Sequence, residues 1–166
     1  MFSIRHCFAY TAIFCALAIV AALIMQHQFD MEPCPLCISQ RIFIILVGIF
    51  ALLGAITGKR RLWVFISASL ATVSAIIGGS ISARHVWLQN LPEDEVPTCG
   101  PGLSYMFETR PMLDALSLLF SGDGNCAEIS FRFLGLSIPA WTFVCFVALA
   151  AIMIWQMTRS RNLALS

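Results

Sequence analysis

The residues best placed to do chemistry are cysteines. Cys34-Pro35-Leu36-Cys37 sets two thiols three positions apart, a spacing that can close on itself as a redox-active pair or supply half of a zinc site. Haem attachment through such a unit needs a histidine directly after the second cysteine, and Ile38 stands there. Cys99 and Cys126 lie in the long polar stretch that shares a side with this pair, so four thiols admit three pairings. Spacing favours Cys34 with Cys37, which leaves Cys99 to bridge to Cys126. Those last two lie too far apart to form the second half of a four-thiolate zinc site, and no metal is expected.

Neighbouring residues suggest what the pair could react with. Pro35 suits the first turn of a helix, which puts Cys37 at a helix N-terminus, where free N–H groups and the dipole stabilise a thiolate. Arg41 follows one turn deeper on the same face. A charge well inside a bilayer costs about 2.5–3.5 kcal/mol, less near the interface. An arginine snorkelling to the headgroups is the plainer account. Taken with the thiolate, however, the cation points to a site for a lipid-borne electron acceptor, whose reduction creates negative charge. His85 and Gln89, four apart, would close the other wall of that site; the plainer account of His85 is a wetted boundary residue. His6 and His27 have no partner that spacing identifies.

These groups need a membrane to position them. Of the 166 residues 59% are hydrophobic and 11% charged, and mean hydropathy is +0.85. Ordinary domains carry about a quarter charged residues, and a soluble chain this small could not bury so much apolar surface. Soluble enzymes, nucleic-acid binders and disordered chains are excluded. A span needs about 20 apolar residues, and four stretches qualify, at about 8–25, 38–57, 62–83 and 139–157. The first is read as a span and not a signal peptide, because its apolar run is long and no Ala-x-Ala-like site follows.

Charge orients the spans. Arg5, Lys59, Arg60, Arg61, Arg159 and Arg161 share one side with no acidic residue, while all nine carboxylates lie on the other. Basic excess marks the cytoplasmic face, so both termini and the turn 58–61 are expected inside, and the loops 26–37 and 84–138 outside. Trp63 and Trp155 then fall at inner span ends, Trp87 and Trp141 at outer ends, as aromatic belts do. Ala71, Ala75, Gly79 and Ala83 form a smooth stripe for close helix packing. Cys7, Cys15 and Cys145 read as small buried hydrophobes.

Within the long loop, Met112, Leu113, Leu116, Leu119 and Phe120 follow helical spacing over a stretch too short to span, which predicts a helix lying in the interface plane. The flanks Gly100-Pro101-Gly102 and Gly122-Asp123-Gly124 are breaker-rich, as hinges would be. The expected fold is an all-α single domain over 1–166, a four-transmembrane-helix bundle whose long periplasmic loop carries a short interfacial amphipathic helix.

The motif order resembles the disulfide bond formation protein B (DsbB) family. The resemblance rests on Pro33-Cys34-Pro35-Leu36-Cys37 with Arg41, His85-Val86-Trp87-Leu88-Gln89, Cys99-Gly100-Pro101-Gly102, and Cys126-Ala127-Glu128 followed by Phe133-Leu134-Gly135-Leu136 and Pro139-Ala140-Trp141. It implies a quinone-dependent protein-disulfide oxidoreductase of the bacterial inner membrane that reoxidises the periplasmic dithiol oxidase DsbA. By that resemblance, reduced DsbA attacks the Cys99–Cys126 disulfide at Cys99, and Cys126 then attacks Cys34 of the Cys34–Cys37 disulfide. Cys37 is released beside ubiquinone or menaquinone, with Arg41 and His85 near the quinone. DsbA is itself a strong oxidant, so its reoxidation requires a stronger acceptor than a glutathione pool. Two alternatives differ in kind. One is a membrane scaffold stapled by inert disulfides; the other is a four-helix quinone reductase of the vitamin K epoxide reductase type, against which the position of Cys34 and Cys37 before span two argues.

Overall fold

The computed structural model describes residues 4–28, 33–58, 60–92, 126–127, 132–133 and 135–162. Among these, four helices are long and apolar enough to cross a membrane: α1 (Ile4–Gln28), α2 (Pro35–Ile56), α3 (Arg61–Leu88) and α4 (Ile138–Asn162). Each exceeds the apolar run that predicted it, because hydrogen bonding continues into the more polar flanks once a helix is nucleated. In α3, 28 residues at about 1.5 Å each outrun a hydrocarbon layer of about 30 Å. The segment 84–88, expected in the long loop, is therefore the last helical turn of α3.

Sequence chemistry sets the helix ends. Cys34 is the N-cap of α2 and Pro35 occupies its first turn. The Cys34 carbonyl accepts the first intrahelical bond from the Ile38 N–H at 3.2 Å. A hairpin not expected from the sequence precedes α4: β1 (Arg132–Phe133) pairs antiparallel with β2 (Leu136–Ser137), with Arg132 opposite Ser137 and Phe133 opposite Leu136. Gly135 turns it with φ +82, a left-handed conformation that glycine adopts without a Cβ clash.

The helices pack in chain order, α1 on α2, α2 on α3 and α3 on α4, while α1 and α4 scarcely meet. The core runs along these seams through Phe8, Val47, Ala51, Ala68, Ala71, Ala75, Phe146 and Met153. Close approach depends on absent side chains. A Cβ on Gly78 would collide with the Phe146 ring, and one on Gly54 would lie 2.7 Å from the Phe8 ring. The expected small-residue stripe is buried at Ala71, Ala75 and Gly79, but Ala83 is exposed. Outward faces are apolar, as at Leu17, Ile49, Val73 and Val147, which is the pattern of helices solvated by lipid.

One end of the bundle is basic. There Arg5 donates from Nε to the Ala55 carbonyl at 3.2 Å, and the Arg159 guanidinium lies 5.6 Å over the Trp155 ring. Cys34 and Cys37 mark the other end. The predicted interfacial helix over 111–120, its hinges at 100–102 and 122–124, and Cys99 lie outside the described residues.

Candidate functional site

The cysteine end is built from the first turn of α2 and the last turns of α1 and α3. Cys34 Sγ accepts a hydrogen bond from the Cys37 N–H at 3.4 Å, capping the helix with sulfur. The two sulfurs lie 3.1 Å apart, so a shift of about 1 Å brings them to disulfide length. Both side chains are half-buried, which leaves the pair open to attack from outside. Cys126 is buried against Leu36, Ile81 and Leu88, with Cys34 packed on the same cluster. Two of the four expected site cysteines thus touch, and a third lies beside them.

His85 is fully enclosed at 2% exposure, unlike a wetted boundary residue. Its Nε2 faces Cys34 Sγ at 3.8 Å, and its Nδ1 lies 3.2 Å from the Gln40 amide nitrogen. With Gln40 donating to Nδ1, Nε2 carries the ring proton and presents it to the sulfur. Gln40 is itself buried. It was not singled out in the sequence; the signal was there in the polar run Ser39-Gln40-Arg41 interrupting an apolar span.

Arg41 is anchored to α1. Nη1 donates to Gln26 Oε1 at 2.6 Å and Nη2 to the Ala22 carbonyl at 3.3 Å, both in α1. The side chain reaches across to the neighbouring helix, although its charge is still felt at Cys37. A charge in this setting needs several acceptors, and the Ala22 carbonyl of α1 supplies one beside Gln26.

Between α1 and α4, where the bundle is unsealed, lies a cavity of about 300 Å³. Its walls are mainly apolar, with Phe14, Ala18 and Ala22 from α1, Ile44 from α2, and Trp141 and Leu149 from α4. Cys34, Cys37, Arg41, His85 and Gln89 all border it, so the sequence-predicted site residues that the structure describes converge on one space, except Cys126, which packs behind it against Leu36, Ile81 and Leu88. Cys145, expected as inert packing, also lines this cavity, while Cys15 is buried in the core.

The whole-chain comparison matches this architecture. Residues 4–156 fit the family model described as Disulfide bond formation protein DsbB. The chain belongs to the DsbB family. It is 60% identical over 142 residues to Disulfide bond formation protein B of Saccharophagus degradans, covering 86% of each chain. The protein of the same name from Methylococcus capsulatus is 49% identical over 154 residues, covering 93% of this chain and 94% of its own. That of Nitrosococcus oceani is 42% identical over 158 residues, covering 95% and 94%. DsbB membership makes this a four-helix membrane protein and a disulfide oxidoreductase acting in disulfide bond formation, and it sets aside the epoxide-reductase type and the inert scaffold.

Proposed function

We propose that this protein is a quinone-coupled thiol oxidase that reoxidises a DsbA-like partner at the periplasmic face of the inner membrane. The observation that carries the reading is the shared boundary: a half-buried thiol pair at a helix N-terminus opens onto the same apolar cavity as Arg41. The residues fit a quinone. Apolar walls suit a ring with an isoprenoid tail, and Arg41, His85 and Gln89 are polar groups of the kind that meet carbonyl oxygens. Both ubiquinone and menaquinone meet this description. When bound, the quinone supplies a two-electron oxidant that takes up two protons as the Cys34–Cys37 dithiol becomes a disulfide.

The chain's own residues do the remaining work. A partner thiolate attacks Cys99 of the Cys99–Cys126 disulfide and displaces Cys126 as thiolate; Cys126 attacks Cys34 and displaces Cys37. The partner's second thiolate then displaces Cys99, and Cys99 attacks Cys126 and frees Cys34, which leaves the partner oxidised, the Cys99–Cys126 bond restored and Cys34 and Cys37 as a dithiol. Each step forms one S–S bond and breaks another, so electron count is conserved. The helix N-terminus and the Arg41 charge favour Cys37 as the leaving thiolate. The packing of Cys126 against Cys34 supports that transfer. Orientation follows the charge pattern: the basic end, with Arg5 and Arg159, suits the cytoplasm, which puts both termini inside and the cysteines outside.

The test is anaerobic mixing of the protein in lipid nanodiscs with a reduced DsbA-type dithiol and ubiquinone, following quinone absorbance. Quinone reduction by the parent protein, with a loss of at least a thousandfold in Cys37→Ser, is expected. Undiminished turnover by Cys37→Ser overturns the reading.

A further inference from the structure

The dithiol form of the site has the makings of a metal trap. One ligand atom each from Cys34, Cys37 and His85 lie within 4.8 Å of one another. In a tetrahedral zinc site, with Zn–S about 2.3 Å and Zn–N about 2.0–2.1 Å, two sulfurs stand roughly 3.7 Å apart and a sulfur and nitrogen roughly 3.6 Å. Here the sulfurs are 3.1 Å apart and Cys34 Sγ is 3.8 Å from His85 Nε2. The sulfurs must part by about 0.6 Å, and the widest pair, within 4.8 Å, must close by up to about 1 Å to create the geometry. Cys99 and Cys126 are not needed for this site; the third ligand comes from α3, on which sequence spacing is silent.

A second observation supports the site. Metal-bound histidines are oriented by a partner on the other ring nitrogen, and Gln40 already stands 3.2 Å from His85 Nδ1. A half-turn of that amide presents Oε1 to an Nδ1–H and leaves the Nε2 lone pair directed at the thiols. Both cysteines are half-buried, so an ion can reach them from water. A fourth position stays open for water, as in three-ligand sites.

We propose that the reduced Cys34–Cys37 pair and His85 together bind a thiophilic d10 divalent cation, Zn²⁺ in particular, and that the oxidised pair does not. A disulfide removes both thiolate donors, so binding is gated by the redox state of the site. If the thiol-oxidase reading holds, the ion then blocks re-formation of the Cys34–Cys37 bond and arrests turnover.

The experiment titrates Zn²⁺ into the full chain in nanodiscs, oxidised or reduced with a phosphine, against a chromophoric chelator. One Zn²⁺ per reduced chain and none per oxidised chain at the same concentration is expected. Cys37→Ser and His85→Asn should each weaken binding at least tenfold. Gln40→Leu, which removes no ligand atom, should weaken it about 10- to 100-fold, whereas Cys99→Ser should leave it unchanged. Equal binding by the oxidised chain, indifference to His85→Asn, or loss in Cys99→Ser overturns the proposal. A second arm follows thiol-driven quinone reduction with and without Zn²⁺, expecting arrest that a chelator reverses. No quinone reduction in the absence of zinc would sink the thiol-oxidase reading, and the binding isotherm would still decide the metal site. Turnover with no zinc binding would sink the metal site alone.

Discussion

Helix α4 meets its two neighbours in opposite ways. Against α3 it is sealed: Phe146 lies over Gly78, and Leu149 and Met153 join Ala68, Ala71 and Ala75 in one core. Against α1 it leaves a cavity of about 300 Å³. Small residues alone do not explain this, since α1 offers Ala18 and Ala22 to the open seam. The difference is that α1 is held on α2 at both ends. At the basic end Phe8 packs against Gly54 and Arg5 reaches the Ala55 carbonyl; at the cysteine end Arg41 grips Gln26 and Ala22. A helix tethered twice to one neighbour is not free to close on the other, and the gap falls beside the thiols.

This contrast can be broken from either side. The largest effect is expected at the sealed seam: Gly78→Leu drives a side chain into the Phe146 ring and should cost about 3 kcal/mol or more. Denaturant unfolding in mixed micelles measures it, and an unchanged midpoint would contradict the packing described. At the open seam, Arg41→Ala removes a cation and an α1 tether together. Loss of charged hydrogen bonds worth about 1.5–3 kcal/mol should raise the apparent KM for quinone roughly tenfold or more, with kcat less affected; an unchanged KM refutes the role given to the guanidinium.

Filling the gap is a gentler perturbation. Ala18→Phe should raise that KM about tenfold, equivalent to about 1.4 kcal/mol, without lowering the unfolding midpoint. A lower midpoint with unaltered KM would mean the seam is packing space and not a binding space. The smallest expected effect is a gain. Gln156 in α4 is fully buried, and neither amide atom has a hydrogen-bond partner among the described residues. Gln156→Leu should therefore stabilise the bundle by about 1 kcal/mol, read as an upward shift of the same midpoint.

Much of this was legible before any coordinates. Span number, Pro35 in the first turn of α2, and the shared helix faces of Cys37 with Arg41 and of His85 with Gln89 follow from hydropathy, proline stereochemistry and four-residue spacing, all local rules. The misses share a cause. Gln40 reaches His85 across 45 positions, and Arg41 reaches Gln26 across 15; no periodicity within one helix reports on such pairs. Cys145 looked like packing because its own span is uniformly apolar, yet the side chain lines the cavity. The hairpin at 132–137 escaped because two-residue strands leave no alternation to read.

Apolar run length and charge placement, by themselves, determined that this chain makes four membrane-crossing helices with Cys34 and Cys37 at the end away from the basic flanks. Solvation of individual residues decides both, and solvation is a property of composition. Which helices touch, where the gap between α1 and α4 opens, and that His85 is locked between Gln40 and Cys34 were decided only in the tertiary structure. Those outcomes depend on the shapes and hydrogen-bonding valences of side chains on different helices, matched across a seam that hydropathy does not describe.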